Sequence, residues 1–279
     1  MLRIIAHGEV SQLHFSTWRS RAMGYSVSAF MTRNVLIDTG FPHVAGALRR
    51  WLGATRPAGV ILTHAHEDHA GNAELLARLG TSIRCAPETL EALRVPRPIG
   101  WYRRVCWGSA TPLRSAVRPF EDAALHLVPA RGHSPDHHVV WDPERETVFG
   151  GDLFIGVKVR IAHPGEDIRG QLPALRSVIA LGPRRYFDAH RGLLEDPVAQ
   201  LRAKVAWMEE MIGEIERHAD AGWDERAIRD AVLGPEDLTG WASRGDYARI
   251  NFVRGVLGSG GTGRQGPEAV ATAAVTKVT

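Results

Sequence analysis

Through the first half of the chain, apolar residues come in short runs separated by glycine, proline and polar clusters, a rhythm of strands and brief helices. Residues 1 to about 40 read as strands joined by turns, closing on the buried-type run Val35-Leu36-Ile37 and the tight exit Asp38-Thr39-Gly40. Val44 to Leu52 carries helical spacing, with Gly53 to stop it, and Gly59-Val60-Ile61-Leu62 reads as a short buried strand after the turn-prone Pro57. A helix is predicted from Ala70 to Leu79, then a strand over Ser82 to Ala86 and a helix over Pro87 to Arg94 with proline in its first turn. Leu125-His126-Leu127-Val128 alternates as a strand, while His138-Val139-Val140-Trp141 and Thr147-Val148-Phe149 pair around Asp142-Pro143-Glu144-Arg145. This alternation predicts an α/β layered domain over residues 1–195.

Two stretches depart from the rhythm. Residues 95 to 119 hold four prolines, two glycines and the aromatics Trp101, Tyr102 and Trp107. That composition suits a lid or substrate wall, or a surface loop pinned by hydrophobic anchors. Beyond Asp196, Val198, Leu201, Val205, Met208, Ile212 and Ile215 recur at three and four residues, a helix face that must pack on something. Shorter helical stretches at Glu225 to Val232 and Tyr247 to Leu257 complete a helical region over 196–257, and the Gly/Ala/Thr-rich residues 258–279 read as a disordered tail.

Composition narrows the class. The 279 residues, 44% of them hydrophobic, can bury one large core or two modest ones. A net charge of +3, with basic residues only in pairs such as Arg103-Arg104 and Arg184-Arg185, is not that of a dedicated nucleic-acid binder. No apolar run approaches the ~18 residues of a membrane span. The segment Met1 to Glu9 lacks the apolar region of a secretory signal, so a cytoplasmic protein acting on a small molecule is expected, with no membrane association and homodimerisation open. Cys85 and Cys106 are too few and too far apart for a disulfide framework or a thiolate metal site.

The chemistry is concentrated in Thr63-His64-Ala65-His66-Glu67-Asp68-His69-Ala70-Gly71-Asn72, where three imidazoles and two carboxylates follow a buried strand. His64 and His66, two apart in extended backbone, project from one face. Asp68 and His69 diverge where the chain begins to coil toward a helix. One pair of imidazoles is thereby offered to a first cation and an Asp/His pair to a second, and imidazole and carboxylate are donors that zinc accepts at neutral pH. Glu67, between ligands, is expected to face solvent. His7, His14, His43, His126, His163 and His218 lie in no such pattern and are assigned ordinary surface or core roles.

His-x-His-x-Asp-His after a buried strand resembles the signature of the metallo-β-lactamase superfamily. Ile37-Asp38-Thr39-Gly40, Gly132-His133-Ser134-Pro135, Gly150-Gly151-Asp152 and Asp188-Ala189-His190 follow the order of that family's landmarks. The resemblance, over about residues 20 to 195, implies a four-layer αββα sandwich with a binuclear metal site at one edge and a C-terminal helical extension. It implies two divalent ions, zinc first and iron or manganese as alternatives. His64, His66 and His133 would hold one, Asp68, His69 and His190 the other, with Asp152 bridging. Asp38 is expected behind the histidine loop, His137 as an outer support, and Asp68 also as the group that steers an activated water.

The implied reaction is hydrolysis, and departures from known subgroups bear on the substrate. Zinc β-lactamases generally lack the bridging aspartate and are exported, whereas Asp152 is present here. Lactonases of this fold place tyrosine where Ile155 stands, and flavodiiron relatives have glutamate where His66 stands. A small ester, thioester or lactone is therefore the expected substrate. A phosphodiesterase or ribonuclease of the same fold, and a metal-stabilised sensing module without turnover, are the alternatives. Arg191, Lys158 and Arg160 are expected to greet an anionic group on the substrate, and Trp101, Tyr102 and Trp107 to line its wall.

Overall fold

The computed structural model describes residues 1–258; residues 259–279 of the expected tail lie outside the described residues. Two sheets face each other. The first is ordered β1 (Leu2–His7), β2 (Val10–Phe15), β3 (Val27–Thr32), β4 (Val35–Ile37), β5 (Gly59–Ile61) and β6 (Ile83–Arg84). The second runs β11 (Gly192–Leu193), β10 (Arg185–Asp188), β9 (Thr147–Phe149), β8 (His138–Asp142) and β7 (His126–Pro129). Both are mixed: β4, β5 and β6 run parallel, as do β9 and β10, and the remaining pairs are antiparallel.

The period of two explains why the central strands are continuously apolar, because each feeds two cores. Val35 and Ile37 of β4 and Ile61 of β5 point inward and meet Val140, Phe149 and Phe187 of the facing sheet. Their neighbours Leu36 and Val60 turn outward onto Leu48 and Leu52 of α2 (Ala45–Thr55) and Leu76 of α3 (Ala73–Arg78). On the other side Val139, Val148 and Tyr186 turn outward onto Leu175 and Val178 of α6 (Ile168–Ala180) and Leu201, Met208, Ile212 and Ile215 of α7 (Pro197–Asp220). Helix, sheet, sheet and helix are thus stacked as the resemblance implies.

The helical region past residue 196 is present, and it shares one core with the second sheet. Ile228 of α8 (Glu225–Val232) and Phe252, Val253 and Val256 of α10 (Arg249–Leu257) pack into the cluster that contains Val139 and Val148. A short α9 (Leu238–Ala242) is capped by Asp237. Among the described residues no helix is long and apolar enough to cross a membrane.

Several elements were not legible in the pattern. α1 (Trp18–Ala22) is a single turn closed by a Thr17/Ser20 capping box. α6 carries Gly170 and Pro173, which break its apparent helical periodicity. The 95–119 stretch is not wholly irregular, since α5 (Trp101–Cys106) lies within it, after α4 (Pro87–Arg94).

Candidate metal centre

The seven donors named above converge from four loops. His64, His66, Asp68 and His69 follow β5, His133 precedes β8, Asp152 follows β9 and His190 follows β10. The histidine loop is held shut from behind. A Cβ at Gly71 would stand 2.1 Å from the Glu67 carbonyl oxygen and 2.5 Å from Pro42 Cδ, so the loop closes over the missing side chain. Asn72 Nδ2 donates to the carbonyls of Thr39, Gly40 and Phe41 at 3.0, 3.1 and 3.1 Å. Asp136 accepts from the Ala65 backbone N–H at 2.8 Å and from the Ser134 hydroxyl at 2.7 Å, joining this loop to that of His133.

Four of the five rings are oriented by an outer nitrogen, while His66 turns its Nδ1 inward, 3.0 Å from His133 Nε2. His69 Nδ1 lies 2.9 Å from Asp38 Oδ2, and His190 Nδ1 lies 2.8 Å from the Ser26 carbonyl oxygen. The Thr63 hydroxyl donates to Asp38 and stands 3.0 Å from His64 Nδ1, so its one proton goes to the carboxylate and the ring donates to its oxygen. His133 Nδ1 is 3.6 Å from Glu166 Oε1. In His64, His69, His133 and His190 this leaves the Nε2 lone pair for the cluster interior.

Two donor groups result. His64, His66, His133 and Asp152 offer atoms within 4.8 Å of one another, and so do Asp68, His69, Asp152 and His190. Asp152 belongs to both with different oxygens. Its Oδ1 is 3.0 Å from His69 Nε2 and 3.1 Å from His190 Nε2, while its Oδ2 is 3.3 Å from His133 Nε2. Asp68 Oδ2 completes the second group at 3.6 Å from His190 Nε2 and 3.9 Å from His69 Nε2. Donors 2.0–2.2 Å from a tetrahedral ion sit about 3.3–3.6 Å apart, so these separations suit one cation per group. His64 Nε2, His69 Nε2 and Asp152 Oδ1 are buried without a hydrogen-bond partner, as donors awaiting an ion are.

The electrostatics point the same way. Burial, reinforced by neighbouring imidazoles, holds His64 and His66 well below the ordinary histidine value. Burial would also lower His190, but Asp152 overrides it and the ring is pushed up to about 9. Against its own desolvation, Asp152 is held well below the usual carboxylate range by His69 and His190. The cluster therefore retains positive charge at neutral pH, as protons or as metal. His137 is neutral as well, and both of its ring nitrogens are taken. Its Nδ1 lies 3.0 Å from the Ala130 carbonyl, its Nε2 accepts the Asp152 backbone N–H at 3.0 Å, and burial followed by His133 lowers it to about 3.

A cavity of about 280 Å³ opens onto both groups through His66, Asp68, His133, Asp152 and His190. Trp107 lines it, and Arg191 does so at its exposed rim, where Arg191 Nε donates to the Ile155 carbonyl at 2.7 Å. The other expected substrate contacts lie elsewhere. Lys158 and Arg160 are exposed and outside the cavity lining, because the strand of chain after Asp152 turns Val159 and Ile161 inward instead. Trp101 is 39% exposed on the outer side of α5. Tyr102 is buried behind the wall, edge-on to the lining residues Tyr25 and Tyr247.

Glu67 corrects the expectation of a solvent-facing side chain. It is 4% exposed and takes Arg103 Nε and an Arg103 terminal nitrogen on its two oxygens at 2.6 and 2.5 Å. His163 likewise is no bystander: it lines the cavity, its ring 6.0 Å from His66 and 4.4 Å from Tyr247. Glu166, Arg103 and Lys204 are further polar lining residues that no sequence motif marks.

The sequence pattern of the metallo-beta-lactamase superfamily matches residues 26–190. The chain is 31% identical over 136 residues to a probable metallo-hydrolase, YybB, of Bacillus subtilis, covering 46% of this chain and 60% of that protein. It is 25% identical over 185 residues to the beta-lactamase-like protein 2 homolog of Drosophila melanogaster, covering 61% and 59%. An atrochrysone carboxyl ACP thioesterase of Aspergillus fumigatus is 27% identical over 150 residues, covering 54% and 43%. The matches to the first two thus span about three fifths of those relatives' length. Among solved structures, a metallo-beta-lactamase family protein of Thermus thermophilus superposes with a TM-score of 0.62 at 15% identity, covering 89% of this chain and 91% of that one. With more than half its length matched and its two sheets, flanking helices and ordered landmarks in place, the chain belongs to the metallo-beta-lactamase superfamily.

Proposed function

We propose that this protein is a binuclear metal-dependent hydrolase of a small ester, thioester or lactone. The observation that carries the reading is the placement of Asp152, whose two oxygens face two different sets of donors. His64, His66 and His133 would hold one divalent cation and Asp68, His69 and His190 the other, with zinc the ion best matched to nitrogen and carboxylate donors. Bound cations supply Lewis acidity, which lowers the pKa of a water toward 7 and polarises the carbonyl under attack.

The chain's own residues do the rest. Asp38, Thr63 and Ser26 fix the ring orientations of His69, His64 and His190. Asp68 presents a carboxylate to the cavity beside His190, where it can orient the attacking water and accept its proton. The Trp107 and Tyr247 rings exclude bulk solvent. A thioester is favoured within the class by the relationship to an acyl-carrier thioesterase.

His66→Ala and Asp152→Ala variants are expected to lose metal content and turnover together across a panel of esters, thioesters and lactones. Turnover that survives chelation in the wild type, or metal-free variants that remain active, overturns the reading.

A further inference from the structure

The cavity is not uniform. Its rim carries the exposed Arg191, whereas its floor is apolar: Ile168 of α6 and, from the helical region, Trp207 and Met208 of α7 and Phe252 of α10, which are 2%, 7%, 1% and 2% exposed. Trp207 meets Phe252 edge-on with ring centroids 5.7 Å apart, closing the far end. Lys204, one turn before Met208, is itself 3% exposed and donates to the carbonyls of Leu153 and Phe154 at 2.9 and 2.7 Å. This buried ammonium ties α7 to the residues directly after Asp152, so the apolar floor is held in register with the donor cluster. The helices past residue 196 are therefore part of the site.

We propose that this floor is an acyl pocket and that the substrate is a thioester or ester of a medium-length apolar carboxylic acid. The proposal rests on the hydrolase reading above. In that reaction water adds at the acyl carbon, the C–S or C–O bond breaks, and the products are the free acid and the thiol or alcohol. The whole cavity, about 280 Å³ and shared between the donor cluster and the floor, takes at most on the order of ten non-hydrogen atoms at ~30 Å³ each. A carrier or nucleotide leaving group cannot be enclosed in that space, so it stays at the Arg191 rim and the acyl group enters. The charged side chains of the wall beyond the donor cluster are already committed, Lys204 to two carbonyls, Arg103 to Glu67, and Glu166 to the His163 N–H and the Gln171 amide, so the uncommitted lining of the floor is apolar, and an apolar chain is what it recognises.

The test has a kinetic and an equilibrium arm. Acyl thioesters with one small leaving group and straight acyl chains from acetyl to dodecanoyl are assayed with metal-loaded protein. kcat/KM is expected to rise about fourfold per added methylene up to roughly eight carbons, the step that burial of one CH₂ supplies, and then to fall. Met208→Trp is expected to lower the octanoyl-to-acetyl ratio of kcat/KM at least tenfold, and Met208→Ala to move the optimum to longer chains. These opposite shifts cannot come from misfolding. Separately, calorimetric titration with octanoate and with acetate is expected to show octanoate binding at least tenfold tighter in the wild type and losing that advantage in M208W. A flat chain-length profile with turnover present, or equal binding of the two acids, overturns the acyl pocket. Absence of turnover on every substrate while octanoate still binds overturns the hydrolase reading and leaves the pocket standing.

Discussion

Removing Arg103 and its partner together should damage the protein less than the two single removals added. Glu67 lies between the donors His66 and Asp68, is 4% exposed, and meets Arg103 in a two-pronged contact of 2.6 and 2.5 Å with the guanidinium side chain 13% exposed. Breaking such a pair from one side strands a buried charge, which costs about 3–5 kcal/mol, whereas replacing both members by neutral groups of similar size is often close to neutral. The single variants Arg103→Met and Glu67→Gln are therefore each expected to lose about 3 kcal/mol or more, and the double variant distinctly less than their sum, with a coupling energy of about 2–3 kcal/mol. Urea denaturation of metal-loaded protein at pH 8 measures all four corners of the cycle. The R103M loss should also shrink in acid. Burial already raises the Glu67 carboxyl against the pull of Arg103, and without Arg103 it rises further. A raised carboxyl stabilises fully below its unfolded value and loses that contribution as pH climbs through the folded one, so R103M lies nearer the wild type at pH 5 than at pH 8. Single losses below about 1 kcal/mol, or additivity within about 0.5 kcal/mol, would refute the claim that this pair locks the donor loop.

Two further outcomes follow from the surroundings of the cluster. Asp38→Ala removes the acceptor of the Thr63 hydroxyl and of His69 Nδ1 and should weaken metal affinity about 10–100-fold, measured by competition with a chromogenic chelator; unchanged affinity would contradict the orienting role. Burial lowers Lys204 to about 8, so from there to its unfolded value near 10.4 the unfolded chain binds more protons and stability rises with pH. Relative to Lys204→Met, the wild type should gain on the order of 3 kcal/mol across that window in denaturation curves, and a difference that stays flat would refute it.

What could be read from the sequence was what is local. The strand and its histidine pair, the Gly-His-Ser-Pro turn and the Asp38 landmark are each a few residues long, and periodicity or ligand density marks them. The apolar face of α7 was equally legible from its spacing. What Met208 faces was not, because a residue that helps to floor a cavity and one that packs a core share the same period. Glu67 and Arg103 are far apart in sequence, and nothing local distinguishes a solvated glutamate from one paired across the fold. His163 and Glu166 were invisible for the same reason: tertiary folding alone brings their segment beside His66 and His133. Lys158 and Arg160 were placed by proximity to Asp152, but alternation along an extended segment sends them outward while Val159 and Ile161 face the cavity.

Hydrolysis by a paired metal centre requires above all that Asp152 serve both donor groups, and metal content read by elemental analysis of protein purified without chelator tests that directly. One cation per group, two per chain, is expected in the wild type, with Asp152→Ala losing most of both. A wild type that hydrolyses thioesters while holding no bound metal, or an Asp152→Ala protein that keeps its full complement, would contradict it.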